Sequence, residues 1–396
     1  MLDFLNEKKD CTGCGACMNI CPKACISMEP DEEGFKYPVV DKNTCISCGL
    51  CEKVCPSLAP DKYKMKLDNP IAFAGLTKDE TVWRNSASGG AFTEICNAFS
   101  DTPEELVIFG CENNNSHIKH SYVIGVENIG KFRRSKYVQS DMELCYKQAK
   151  EFLAKNKKVV FSGTPCHIAG LRSFLRGKQY DNLLCVAVIC HGVGSPQVFS
   201  DHITYLKKKL NNGDVQYEFR HKKIFGRTKR TQHRISKISY GDQVQYVELD
   251  EYNRCFYRQL ILRPSCSTNC KYRSIERNED ITIADFHGFS YVFPNVRDFH
   301  NRSAIVINTE KGVRLIEKLR QSMYLLDCDI ESIKKYNPLI CRSTAANPLR
   351  DSFFQEYAQG TSYEKLVNKY APVPKESIKQ RMIKLISKIL YKEKYF

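Results

Sequence analysis

Cys11-Thr12-Gly13-Cys14-Gly15-Ala16-Cys17-Met18-Asn19-Ile20-Cys21-Pro22 is echoed, 34 residues later, by Cys45-Ile46-Ser47-Cys48-Gly49-Leu50-Cys51-Glu52-Lys53-Val54-Cys55-Pro56. Each run spaces three cysteines three apart and sets a fourth before a proline. That is the ligand spacing of a pair of [4Fe–4S] clusters, in which the last cysteine of each run crosses to the other cluster. Cluster 1 is accordingly assigned to Cys11, Cys14, Cys17 and Cys55, and cluster 2 to Cys45, Cys48, Cys51 and Cys21. Zinc also takes Cys-x2-Cys pairs, but usually as two separated pairs closing one tetrahedron. Three close cysteines and a fourth before proline suit a cubane ligated corner by corner. Gly13, Gly15 and Gly49 let the backbone approach the sulfides and aim N–H groups at them. Cys25, just beyond the first run, reads as a small buried neighbour. Such clusters move single electrons, so any further chemistry falls to the rest of the chain.

A chain of 396 residues is long for one domain and points to a small module joined to one or two larger ones. Its 42% hydrophobic and 27% charged residues suit a soluble protein with a real core. Twenty cysteines, eight of them committed to clusters, argue for a reducing cytoplasm and against a disulfide framework. Met1 to Lys9 lacks the apolar core of a signal peptide. The longest obvious apolar stretch, Leu183 to Cys190, is too short to span a membrane and reads as a buried strand. The net charge of +15 is uneven: residues 1–60 carry −3, the body +13 and residues 371–396 +5. An acidic electron module on a basic body points to internal docking, or to acidic partners and phosphorylated ligands. No recognisable nucleic-acid-binding module accompanies the charge, so nucleic acid is not an expected partner.

The fold expected is α/β (α+β): a two-cluster module over residues 1–60, a linker over 57–70, then a body with a mixed or parallel sheet. Strands are expected at Ile71–Leu76, Leu106–Cys111, Tyr122–Val126, Lys158–Gly163, Leu183–Cys190, Ile281–Asp285 and Ser303–Asn308. Helices are expected at Gly89–Phe99, Met142–Ala154, Ile168–Leu175, Val198–Leu210 and Gly312–Gln321. Ligands of such a body belong at its strand-to-helix turns. Ser88-Gly89-Gly90 precedes a helix that Ser88 can cap, where exposed N–H groups can meet an anion, although an ordinary capped turn reads the same way.

Cys166, in Gly163-Thr164-Pro165-Cys166-His167, follows a strand and opens a helix whose dipole favours thiolate. Cys190, in Cys190-His191-Gly192, ends the next strand in the same way, and Arg263-Pro264-Ser265-Cys266 with Cys270 adds two cysteines four apart. Four cysteines at turns would make a third cluster, while a nucleophilic pair of Cys166 with His191 lacks any accompanying hydrolase signature. Arg220 to Lys237 holds eight Lys/Arg, Arg227 and Arg234 among them, with no acid. It reads equally as a solvated basic loop or as an anion site and landing patch for an acidic partner.

Read in order, Ser88-Gly89-Gly90, Ser135-Lys136-Tyr137-Val138-Gln139-Ser140, Gly163-Thr164-Pro165-Cys166, Cys190-His191-Gly192, Arg263-Pro264-Ser265-Cys266 and Asp280-Ile281-Thr282-Ile283-Ala284-Asp285-Phe286 resemble one family. It is the coenzyme F-420 hydrogenase/dehydrogenase beta-subunit family, in the form with an N-terminal two-cluster ferredoxin domain, over roughly residues 1–310. The resemblance implies an iron–sulfur flavoprotein with FAD and, in most members, one more [4Fe–4S] cluster. It places Ser88, Gly89, Gly90 and Thr93 against FAD, with Lys136 and Tyr137 near the same pocket. It makes Cys166, Cys190, Cys266 and Cys270 the candidate ligands of cluster 3, with Cys185 and Cys255 as alternatives to either of the first two. The body then divides into an N-terminal part, 71–155, and a C-terminal part, 156–330, followed by a helical extension, 331–370. His287, Gly194 and Arg134 stand where the family generally has Trp, Pro and Gly.

Residues 371–396 read as a basic amphipathic helix, with Ile378, Met382, Leu385, Ile386, Ile389 and Leu390 on one side. Such a helix suits peripheral contact with the inner face of a membrane, or packing on the body or a second subunit. The function expected is a cytoplasmic oxidoreductase. It would take electrons from a ferredoxin-like donor through the clusters to FAD and an unidentified small-molecule substrate, with the basic run open to an anionic one. The alternatives are a coenzyme F-420-dependent oxidoreductase and a non-enzymatic electron relay. No acid–base residue stands out.

Overall fold

The computed structural model describes residues 2, 4–65, 67–114, 116–225, 230–267, 270–296 and 300–374; for 223–225 and 230–234 it describes the backbone alone. The expected C-terminal helix and Arg227 lie outside the described residues, as does the side chain of Arg234.

In both cysteine runs a left-handed glycine turns the chain into a short helix. Gly15 (φ 75°) precedes Ala16–Ile20, and Gly49 (φ 68°) precedes Leu50–Lys53. A residue with a Cβ would be strained at either place. Between the runs an antiparallel hairpin pairs β1, Ile26–Pro30, with β2, Lys36–Val40.

The body's strands are β3 (Ile71–Thr77), β4 (Val107–Asn114), β5 (His117–Ile124), β6 (Val159–Gly163), β7 (Leu183–Val188), β8 (Val215–Phe225), β9 (Arg230–Tyr240), β10 (Gln243–Glu248), β11 (Ile281–Asp285), β12 (Ser303–Ile307) and β13 (Met323–Cys328). Eight of them form one mixed sheet in the order β13-β3-β12-β11-β7-β6-β4-β5. The middle four, β11, β7, β6 and β4, are parallel, and antiparallel strands flank them.

Val159, Val160, Phe161, Leu183, Leu184 and Cys185 are all fully buried, as unbroken apolar strands covered on both faces should be. Alternation divides them. Val160 and Leu184 pack with the helix Ala91–Phe99 on one face. Phe161, Leu183 and Cys185 pack with the helices Cys145–Ala154 and Pro165–Phe174 on the other. Cys14, Ala16 and Val54 join that second cluster, so the cysteine-rich module rests on those two helices.

Three expectations need correction. Within Arg220–Lys237 the described residues are not loop: Arg220–Phe225 lie in β8 and Arg230–Lys237 in β9, joined by β10 in a separate antiparallel sheet. The helix expected over Gly312–Gln321 is two pieces, Glu310–Val313 and Ile316–Ser322. Ser88 does not cap the helix that follows it. Gly90 occupies the cap, and the Ser88 hydroxyl donates to the Arg302 carbonyl at 2.7 Å.

Gly89 sits where β3 and β12 leave no room. A Cβ there would overlap the Gly75 carbonyl oxygen and come 2.6 Å from the Ser303 nitrogen, both of them backbone. Gly89→Ala is therefore expected to cost about 2–3 kcal/mol, seen as a lowered urea midpoint with unchanged slope. A midpoint equal to wild type would show that the two strands can part at no cost.

Candidate functional site

Parallel strands end at one edge, and ligand sites gather outside their carboxyl ends. β6 ends at Gly163 and β7 at Val188, so Cys166 and Cys190 leave neighbouring strands at the same edge. A short turn, Pro264–Cys266, brings Cys266 to them, and Cys270 follows. All four cysteines line one cavity, together with Thr12, His167, Ser265, Tyr272 and Arg273. The alternatives lie elsewhere: Cys185 is inside β7, its N–H bonded to Asp280 at 2.8 Å, and Cys255 is buried in the helix Glu251–Tyr257.

The cavity's polar atoms are unusual. Thr12 Oγ1, His167 Nδ1, Ser265 Oγ and Arg273 Nε are buried without a hydrogen-bond partner. Native interiors leave few such groups. A hydroxyl, a guanidinium N–H and an imidazole N–H can each donate to sulfur, so they suit a sulfur-rich occupant.

The thiols correct one expectation. Burial pushes Cys166 well above an ordinary thiol, against the hydroxyl of Thr164 at 3.1 Å, and the other three cavity cysteines reinforce the rise. Burial likewise lifts Cys266 to about 12. Desolvation at this depth works against the helix dipole, and metal ligation would favour these sulfurs as thiolates. Among the described residues, no three His, Cys, Asp or Glu side chains converge on a single ion. Tetrahedral zinc would need sulfurs about 4 Å apart, whereas a cubane takes one cysteine per iron and spreads them further.

In the N-terminal module, Cys14 lies within electrostatic reach of Cys55, Cys17 and Cys11, and burial lifts it far above the thiol range. Cys51 couples to Cys48 and Cys45. Cys21 reaches that second group through Cys25, whose sulfur is 3.3 Å from that of Cys21 and which also bonds Cys45. Cys25 thus touches two of the thiols assigned to cluster 2.

The two sulfur regions adjoin. Thr12 belongs to the first run and lines the cavity. Tyr146 and Tyr272 are buried phenols, each next feeling Cys14 and then Cys166. Arg263 fastens this junction. It is fully buried, donates through Nε to the Cys11 carbonyl and through Nη1 to Gln139 Oε1, both at 2.9 Å, and lies 4.1 Å over the Tyr37 ring.

On the far side of the cavity, His191 packs on Phe256 at 5.1 Å, and Tyr137 stacks on Phe256 at 4.6 Å. Beyond them Arg220 donates to Asp285, whose carboxyl stays below its usual range because that pairing outweighs burial. Ser88 and Gly89 are held by Arg302 and Ser303, and the Ser88 carbonyl accepts from the Lys222 ammonium at 2.6 Å. Thr93 accepts from Arg133 Nε at 3.2 Å, and the Arg133 carbonyl accepts from Lys136 at 2.8 Å. The structure therefore joins Thr93 to Lys136 through Arg133, and Ser88 to Lys222, while Tyr137 faces the aromatic group. Burial and neighbouring cations press Lys136 down to about 8 and Lys222 to about 7. Arg133, Lys222, Arg263 and the orphaned donors were not apparent in the sequence; the signal nearest to hand was Arg263 heading the Pro-Ser-Cys turn.

Residues 156–333 match the family model for the C terminus of the coenzyme F420 hydrogenase/dehydrogenase beta subunit, and residues 10–59 match the 4Fe-4S dicluster domain. Among solved structures, a chain of the F420-reducing [NiFe] hydrogenase complex from Methanosarcina barkeri, from a xenon derivatization study, is 16% identical with a TM-score of 0.43. That match covers 78% of this chain and 94% of the other. No curated protein sequence matches this one. No described helix is long and apolar enough to cross a membrane.

His120, beside this site, accepts from the Ser140 hydroxyl at 2.7 Å through Nδ1 and donates to the Ser162 carbonyl at 3.1 Å through Nε2. Burial lowers it to about 4, and burial lowers His202 as well. The unfolded chain takes up these protons near pH 6.5, so folding is opposed as pH falls from there towards 4. The thermal midpoint should drop over that interval, and His120→Gln should flatten part of the drop. Equal slopes for the variant and wild type would exclude His120 as a cause.

Proposed function

We propose that this chain, a member of the coenzyme F420 hydrogenase/dehydrogenase beta-subunit family, passes electrons between a ferredoxin-like partner and a small substrate as an iron–sulfur flavoprotein. That it is an iron–sulfur electron-transfer protein of oxidoreductase type follows from its two matched regions; the flavin, the ligand sets and the substrate are the proposal. One observation carries it: four thiols from three segments meet in a cavity with four orphaned donors, next to the first cysteine run.

In this reading Cys11, Cys14, Cys17 and Cys55 hold cluster 1, and Cys45, Cys48, Cys51 and Cys21 hold cluster 2. Cys166, Cys190, Cys266 and Cys270 hold cluster 3, with Thr12, Ser265 and Arg273 donating to its sulfurs. Cys48 is the exposed cysteine of the second group, so the partner meets cluster 2 first. Tyr146 and Tyr272 lie between Cys14 and Cys166, so clusters held by these cysteines would be neighbours, and when bound they would supply single-electron transfer.

The residues present fit FAD in part. Arg133, Lys136 and Lys222 are half-buried to buried cations with lowered proton affinity, a wall that a diphosphate would relieve. Ser88, Gly89, Gly90 and Thr93 lie along it, and Tyr137 with Phe256 screens the cluster side from water. Bound FAD would supply the exchange between single electrons and a hydride-equivalent pair. A second reading, a pure relay feeding another enzyme, draws on the turn at Ser88–Gly90 being filled by its own packing. Use of coenzyme F-420 as the substrate is a narrower form of the first reading.

Anaerobically purified protein should hold about twelve irons and one FAD, and Cys266→Ala about eight irons. About eight irons with no flavin in wild type would establish the relay instead, and full iron in Cys266→Ala would remove cluster 3 from those cysteines. Residues 375–396 are proposed to bind anionic membranes peripherally, at the inner face of a cytoplasmic membrane. Deleting them should abolish flotation with anionic liposomes, and undiminished flotation would refute that contact.

A further inference from the structure

Arg134 has no part in the scheme above, yet it stands at the centre of a charge imbalance. The carboxylate of Glu218 is ion-paired with Arg134, and both the Lys237 ammonium and His221 Nδ1 lie 3.1 Å from it. Arg134 Nη1 is also 3.2 Å from His221 Nδ1. These four side chains are 18–31% exposed, so water and small ions reach them. Burial, then Arg134 and Lys237, keep His221 neutral down to about 4. Two permanent cations therefore share one carboxylate, and Arg134 also lies within reach of Lys136 and Lys222. The group carries surplus positive charge beside two lysines of the proposed flavin wall.

The backbone adds a second observation. Arg134 has φ 68°, the left-handed region, just after the short helix Val126–Phe132. Turns past helix ends also put Asn156, Arg176 and Asn211 there, so the conformation alone marks no site. It does mean that glycine would fit this turn with less strain, and that the arginine is explained by where its guanidinium goes.

We propose that Arg134 and Lys237 form a clamp for an oxyanion, phosphate or carboxylate, carried by the substrate, with Glu218 holding the clamp in place when the substrate is absent. This rests on the reading of the chain as an oxidoreductase acting on a small molecule, and it narrows that substrate to an anion. Arg134 offers a planar fork and Lys237 a point charge, and both keep unshared N–H groups once Glu218 is satisfied. An incoming oxyanion replaces or joins Glu218 without any covalent step.

The test uses holoprotein, with iron and flavin counted in every sample, titrated calorimetrically with inorganic phosphate. Wild type should bind about one phosphate per chain. Arg134→Gly should weaken that binding about tenfold or more while the thermal midpoint stays or rises, since the turn is relieved. Glu218→Gln should bind phosphate more tightly, about threefold or more, because the competing carboxylate is gone; a purely structural ion pair predicts no such gain. No phosphate binding by wild type, or equal binding by wild type and both variants, would overturn the clamp. Flavin lost from Arg134→Gly but not from wild type would assign the site to the cofactor's diphosphate and overturn it as a substrate clamp. A wild type without flavin whose phosphate binding still depends on Arg134 would sink the flavoprotein reading and leave the clamp standing.

Discussion

The buried guanidinium of Arg263 holds the two halves of this protein in register. It donates to the Cys11 carbonyl in the first cysteine run and to Gln139 in the body, and it lies over Tyr37 from the hairpin between the runs. A guanidinium taken out of water is costly unless its donors are met, so its partners must come together before it can be buried. Other contacts line the same seam. Asn19 donates to the Glu143 carbonyl at 2.8 Å, Lys36 pairs with Asp141, and Glu33 pairs with Arg350 in the C-terminal extension. The cysteine module is therefore built into the body rather than tethered to it, which is what a continuous electron path requires.

The same seam explains the depth of the sulfur sites. Cys14 packs with the helices Cys145–Ala154 and Pro165–Phe174, and Cys166 opens the second of these. Neither thiol would ionise there unaided, because burial dominates every other influence on it. Desolvated sulfurs beside unpartnered donors are costly, and metal binding would offset both costs. On the proposed reading, loading of the clusters would be coupled to folding of the seam.

Much of this was legible along the chain because the information is local. The cysteine spacing, the alternation of apolar strands with helices, and the turns at Cys166 and Cys190 all depend on neighbours within about ten residues. Strand pairing is not local. The basic run from Arg220 to Lys237 lacks the apolar alternation of a half-buried strand, yet its described residues lie in strands whose Tyr217, Phe219 and Ile238 face a core supplied by distant helices. The Ser88 turn misled for a related reason: its hydroxyl has a better acceptor in Arg302, more than two hundred residues away, than in the helix it precedes.

The sequence by itself determined the two-cluster module, the α/β character of the body and the candidate cysteines, since ligand spacing and hydrophobic period are properties of the chain read in order. Only the tertiary structure decided that Cys166, Cys190, Cys266 and Cys270 share a cavity while Cys185 and Cys255 do not, that Cys14 lies across two tyrosines from Cys166, and that Arg134 faces Glu218, His221 and Lys237. Those relations arise from parallel strands ending at one edge and from a long-range seam. Burial and partnership, the two quantities that set the energy of a thiol or a guanidinium, exist only once that seam has closed.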